Sequence, residues 1–133
     1  MSRVDLIDEF FAAVERSDFE QVRKIYAPDA VIWHNDGQGE QTVDGNIAMV
    51  SALCGAVRSL RYDVACRTET DDGGVFAQHV LRVELPSGQE MAIDAAMYIR
   101  TDGVSISRID EYIDTAVVQD LYAFVSQASG QGA

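Results

Sequence analysis

Two histidines, His34 and His79, and two carboxylates, Asp94 and Glu111, stand out in this chain for the company they keep. His79, Asp94 and Glu111 each sit near the middle of a run with β-strand patterning, on faces a small domain needs for its core. Ionisable groups are seldom buried there unless paired. A pair of imidazoles near neutral pH can divide acid and base work, one ring taking a proton while the other gives one. Each ring can equally make an ordinary structural hydrogen bond, His34 at a strand end. Two histidines with Glu111 have the composition of a metal facial triad, but their spacing carries no metal signature, and no cofactor is expected.

Strand alternation supplies the neighbours of these groups. Ala92, Asp94, Ala96 and Tyr98 share one face, and on a concave wall the small alanines would leave ligand space beside an enclosed Asp94 inclined to keep its proton. The alternative phase makes Met91, Ile93, Ala95 and Met97 the core face and leaves Asp94 in water. Glu111 shares parity with the apolar Ile109 and Ile113, which turns Asp110, Tyr112 and Asp114 the other way. A cross-sheet salt bridge is its alternative role. Trp33 and Asn35 flank His34, and Trp33 either covers the helix layer or floors a pocket. Arg82, Arg100 and Arg108 belong to the convex surface or a subunit contact.

The elements that must position these side chains begin with a meander. VFAQHVLRVEL, EMAIDAAMYIR and VSISRIDEYID are long strands joined through turns at Pro86, Ser87 and Gly88 and at Asp102 and Gly103, residue types that bend a chain readily. Upstream, Leu6, Ile7, Phe10, Phe11 and Val14 recur at helical spacing behind a Ser2/Asp5 cap. Ser17 and Glu20 match a capping box for a second helix ending near Pro28, so the two helices form a hairpin. AVIWHN reads as a short strand, and Ile47, Val50, Leu53, Cys54 and Val57 as a third helix opened by the turn at Asp44 and Gly45. LRYDVACRT is a further strand. Thr115 could cap a last helix carrying Val118, Leu121, Tyr122 and Val125, with SQASGQGA fraying beyond it. Helices early and a curved antiparallel sheet late make an α+β domain whose bent sheet and helices can enclose a pocket.

At 133 residues the chain fits one domain, residues 1–128, with a flexible tail at 129–133. Ten basic against twenty-two acidic residues give a net charge of −12, which argues against nucleic acid or an anionic membrane as partner. Cys54 and Cys66 lack CxxC spacing and read mainly as two small buried hydrophobes of a reducing compartment, with a bridge between them as the alternative. No apolar run nears the roughly 20 residues of a membrane span. MSRVDLIDEFF has no basic leader, so a cytoplasmic location is the default expectation. Val80 and Tyr112 on the second sheet face suggest a homodimer.

The order of elements, with YAPDAVIWHND, VLRVELPSG and DGVSISRIDEYID, resembles the NTF2-like superfamily from about Leu6 to Asp114. Within it the chain is similar to SnoaL-like proteins, ketosteroid isomerases and limonene-epoxide hydrolases. The resemblance implies a cone: a curved antiparallel sheet against N-terminal helices, enclosing a pocket. Beside the isomerases, His34 falls at the general-base aspartate, Asp94 near the oxyanion-stabilising acid if the Thr101–Gly103 turn differs by one residue, and Phe10 at the tyrosine phenol. Beside the hydrolases, Glu111 matches the water-activating carboxylate, Ala77 the arginine, His79 the second aspartate and His34 the asparagine that holds the water. The implied catalytic set is His34, His79, Asp94 and Glu111, with Phe10, Trp33, Asn35, Ala77, Tyr98, Ile109 and Ile113 lining the pocket. The expected activity is acid–base hydrolysis of an epoxide or related small hydrophobic compound. A proton-transfer isomerase and a non-catalytic small-ligand-binding domain are the alternatives, because this scaffold hosts both.

Overall fold

A computed structural model describes residues 2–130. Helix α1 (Arg3–Glu15) starts on the expected capping box, with the Ser2 hydroxyl accepting from the Asp5 amide and the Asp5 carboxylate accepting from the Ser2 amide. Its apolar face buries Leu6, Ile7, Phe10, Phe11 and Val14. The next cap differs from expectation. Asp18, not Ser17, accepts from the Gln21 amide and opens α2 (Phe19–Ile25), because Ser17 is used in the reversal itself at φ 58°. Helix α2 ends at Ile25, three residues before Pro28, and the chain passes directly into strand β1 (Tyr26–His34).

A two-residue strand, β2 (Glu40–Gln41), leads to α3 (Val43–Ala56). Thr42 caps α3 by accepting from the Gly45 amide, so Asp44 and Gly45 lie inside the first turn instead of before it. Strands β3 (Ser59–Glu69), β4 (Gly74–Glu84), β5 (Glu90–Thr101) and β6 (Ile106–Ile113) form the meander. At the β5–β6 turn the Asp102 carboxylate accepts from the Val104 and Ser105 amides, and Gly103 takes the positive φ the reversal requires. Helix α4 (Thr115–Gly130) is capped by the Asp114 side chain, which accepts from Ala116 and Val117, while Thr115 is its first residue. The helix continues through the stretch expected to fray from Ser126; residues 131–133 lie outside the described residues.

The sheet has the order β2-β1-β6-β5-β4-β3. It is mixed where an antiparallel sheet was expected: β1 runs parallel to β6, while the other neighbours are antiparallel. Register shifts in the β1–β6, β3–β4 and β5–β6 pairs add local twist and bend the sheet around the helices. The inner face carries Ile32, Val75, Ala77, Val83, Ile93, Met97, Ile99 and Ile109 against α1, α3 and α4. Alternation sends Trp33, Asp94, Tyr98, Arg108 and Tyr112 to the outer face. There Arg82 pairs with Asp63, Arg108 with Asp110 and Glu40, and Arg100 lies over the Tyr98 ring. Of the cysteines, Cys54 is half-buried and Cys66 is exposed beyond the β3 irregularity, so only the first fits the expected buried setting; both are free thiols.

Candidate functional site

Register brings the chemistry together. In the parallel β1–β6 pair His34 stands opposite Glu111, and in the β5–β6 pair Glu111 stands opposite Met97. His79 lies one strand further, opposite Ala95. The small Ala95 side chain leaves the imidazole a path across β5 to the carboxylate. His34 Nε2 donates to Glu111 Oε1 at 2.9 Å, and His79 Nε2 is 3.5 Å from Oε2. All three residues are buried, at 9, 2 and 7% exposure for His34, His79 and Glu111. Asn35 locks the pairing. Its amide donates to the Glu111 carbonyl at 3.2 Å, while its side chain accepts from the Ile113 amide at 2.9 Å and donates to the Ile113 carbonyl at 3.4 Å.

Burial alone would raise the Glu111 pKa, but the His34 hydrogen bond, with the His79 ring close behind the carboxylate, outweighs it and holds the carboxyl well below the usual range. For His34, burial works downward, yet the Glu111 hydrogen bond and charge, with Asp36 adding, carry the imidazole above its ordinary 6.5. Glu111 is therefore a weak base, with Oε1 hydrogen-bonded to His34 and Oε2 facing His79, whose ring nitrogens make no hydrogen bond among the described residues. His34 has Nε2–H on the carboxylate, which leaves Nδ1 to carry the lone pair. Among the described residues nothing hydrogen-bonds to that nitrogen, and the ring lines a cavity.

The cavity measures about 410 Å³, within the range of small-molecule sites. Its wall is apolar, with Phe10, Leu53, Leu60, Met97, Ile109 and Leu121 among its residues, and His34 and Glu111 are set into it. No lysine or arginine is among the described residues that line it. Three tyrosines reach it. Tyr26 donates to Asn46 Oδ1 at 2.8 Å, and Tyr122 donates to Asp36 Oδ2 at 3.2 Å. Tyr62, stacked on Phe11 at 4.2 Å and edge-on to His79 at 5.2 Å, has no hydroxyl partner among the described residues. Burial, with the Glu111 charge adding, pushes the Tyr62 phenol well above its ordinary value, so it stays a proton donor.

Of the expected set, His34, Glu111, Phe10, Ile109 and Ile113 line this cavity. His79 is sealed behind Glu111 between the Phe11 and Tyr62 rings, outside the wall. Asp94 does not converge with them: it is exposed on the outer face, because Ile93, Ala95 and Met97 took the inner phase. Trp33 and Tyr98 share that outer face, Trp33 edge-on to Tyr112 at 5.2 Å and Tyr98 bonded to Asp72. Asn35 is spent on the β6 backbone, and Ala77 is fully buried in the core away from the cavity wall. The residues that sequence reasoning missed are Tyr26, Asp36, Asn46, Tyr62 and Tyr122. Alternation of Leu60, Tyr62 and Val64 was a usable signal for one of them.

The sequence profile of the SnoaL-like domain matches residues 7–109. This chain belongs to the SnoaL-like family, within the NTF2-like superfamily. A search of curated proteins finds no match. Among solved structures it is similar to IdmH, a proposed polyketide cyclase from Streptomyces antibioticus, with 17% identity, TM-score 0.79, and coverage of 92% of this chain and 99% of that one. A proposed SnoaL-like polyketide cyclase from Shewanella denitrificans gives 14% identity and TM-score 0.76, covering 91 and 96%. A protein of ketosteroid isomerase-like fold from Catenulispora acidiphila, in complex with trimethylamine, gives 12%, 0.74, 89 and 92%. At these identities the likeness is one of fold: four helices on a curved six-stranded sheet, the NTF2-like cone.

Proposed function

We propose that this SnoaL-like protein is an acid–base catalyst for a small, uncharged, largely apolar carbonyl compound, with His34 as the proton carrier and Glu111 as its orienting counter-charge. The observation that carries the reading is the hydrogen bond from His34 Nε2 to a buried, ionised Glu111 at the wall of an apolar cavity. Such a pair fixes the ring, sets its tautomer and strengthens its hold on a proton, which suits Nδ1 to act as a base. His79 supports the carboxylate from behind. The chemistry that fits is removal of a proton next to a carbonyl, leading to isomerisation or to a cyclisation of the kind suggested by the names of IdmH and the Shewanella protein.

Water addition to an epoxide, the activity expected from sequence, needs a carboxylate free to deprotonate water. Both Glu111 oxygens face histidines, and this counts against that version. An isomerase that relies on Asp94 is disfavoured too, since that side chain is exposed on the outer face. The lack of lysine and arginine among the described lining residues, in a chain of net charge −12, supports a neutral ligand over a carboxylate or phosphate. Two free cysteines fit a cytoplasmic location, and the Trp33–Tyr112 patch fits a homodimer through the outer sheet face; both belong to this proposal. Panels of enolisable ketones and of epoxides, incubated with the protein, test it. Turnover confined to the ketones is expected. Turnover confined to epoxides restores the hydrolase reading, and binding without turnover on either panel makes the cavity a ligand-binding site.

A further inference from the structure

His79 has a side chain with no exposure, and among the described residues neither of its ring nitrogens has a hydrogen-bond partner. Its surroundings are almost wholly apolar. Strand β3 sets Val64 opposite it and β5 sets Ala95, while the Phe11 ring of α1 lies at 5.5 Å and the Tyr62 ring of β3 at 5.2 Å. Glu111 of β6 is the charged group that faces it, and of the two nitrogens only Nε2 comes within ion-pairing reach, 3.5 Å from Oε2. A polar ring removed from water without partners is a net cost that an apolar side chain of the same size would avoid. The carboxylate gives the ring a purpose and fixes its tautomer. With the proton on Nε2, an N–H dipole meets the negative charge; on Nδ1 it would leave a donor buried among apolar groups and a lone pair against Oε2.

A buried histidine–carboxylate pair has two ways to hold a proton. Once His34 takes a ligand proton at Nδ1, its Nε2 proton can stay, leaving imidazolium and carboxylate, or pass to Glu111 Oε1, leaving two neutral groups. Burial favours the neutral arrangement, because each charge has lost its hydration. We propose that His79 is a positioning residue that holds Glu111 as the carboxylate during proton transfer, so that His34 carries the transferred proton as an imidazolium. This rests on the proton-transfer reading above. The C–H bond next to the carbonyl breaks, its proton goes to His34 Nδ1, and the electron pair moves onto the ligand's oxygen. The His79 N–H dipole, acting in a site of low polarity, keeps Oε1 from taking the Nε2 proton, and the positive ring remains as counter-charge to the enolate. Return of the proton to carbon restores the neutral ring. Asp36 also favours a positive His34, and Tyr26 and Tyr62, the phenols that feel the Glu111 charge, keep their protons.

Two replacements test the role: His79→Leu, which fills the slot without a donor, and His79→Gln, whose amide can present an N–H where Nε2 stands. In the wild type, two-bond proton–nitrogen spectra should place the His79 proton on Nε2, and the Glu111 carboxyl carbon should keep the signal of a carboxylate while His34 titrates. The tautomer is read on the wild type and needs no variant. In His79→Leu the Glu111 carbon should move toward the protonated acid at the His34 midpoint. Exchange of ketone α-protons should fall about tenfold or more in that variant at unchanged KM, within what a positioned acid–base group supplies. His79→Gln should restore both. A wild-type His79 protonated on Nδ1, a Glu111 signal in His79→Leu that matches the wild type, or no restoration by His79→Gln overturns the assignment and leaves the ring as packing. If the wild type exchanges no ketone protons while the carboxyl signals differ as expected, the proton-transfer reading fails and the hold of His79 on Glu111 stands.

Discussion

At the residue scale, the site depends on how one buried carboxylate is paid for in charge. Glu111 is ionised because His34 and His79 face its two oxygens, and leaving a buried partner of such a pair alone costs about 3 to 5 kcal/mol. The direction of the two shifts gives a pH window. The His34 pKa is raised from 6.5, so its contribution to stability is complete below 6.5 and declines as pH climbs through the raised value. The Glu111 pKa is lowered from 4.5, so its contribution is complete above 4.5 and declines as pH drops toward the lowered value. Urea midpoints should therefore show a maximum for this pair between 4.5 and 6.5 that Glu111→Gln removes. The same variant should move the His34 titration, followed by NMR, to lower pH, and reduce catalysis by about 10²- to 10⁴-fold. An unmoved His34 titration would mean that the carboxylate does not act through that ring. The prominence of His34 and Glu111 was legible in the sequence. The phase of Asp94 was not: parity shows which residues share a face, and Ala92, Ala96 and Tyr98 made an apolar row almost as plausible as Ile93, Ala95 and Met97.

At the element scale, the pairing that makes the site is the parallel contact of β1 with β6, two strands more than 70 positions apart. The meander could be read from alternation and turn residues because both are local. A parallel pairing leaves no such mark, since its partner is chosen by packing across the intervening chain. Asn35 is the residue that fixes this register, with hydrogen bonds to the backbone of Glu111 and Ile113. Asn35→Ala is expected to cost about 1 to 3 kcal/mol in chemical denaturation by stranding the Ile113 groups. It should also lower the His34 pKa, since the ring would sit less squarely on Glu111. A stability loss with no change in the His34 titration would separate the strand lock from the site. Helix ends were legible only in part, because several small polar residues compete for each cap: Ser2 prevailed as read, Asp18 and Asp114 replaced Ser17 and Thr115, and Thr42 capped the third helix, for which only a turn at Asp44 and Gly45 was expected.

At the scale of the whole molecule, the cone separates two surfaces with different tasks. Its inner face encloses the cavity with His34 and Glu111, and its outer face carries ion pairs around the Trp33–Tyr112 contact, with Tyr112 58% exposed. If the outer face joins two copies, sedimentation at micromolar concentration should give twice the 14.6 kDa chain mass, and Tyr112→Glu should return the monomer. A single 14.6 kDa species would remove the dimer and leave the cavity untouched. The inner face is proposed to move a proton through His34. Exchange of the α-protons of uncharged cyclic ketones into D2O, compared for the wild type and His34→Gln, tests it most directly. Enzyme-dependent exchange that rises with pH through the raised His34 pKa, and that falls at least a hundredfold in a folded His34→Gln protein, is the expected result. Exchange that is equally fast in the variant, or none by the folded wild type, would contradict it.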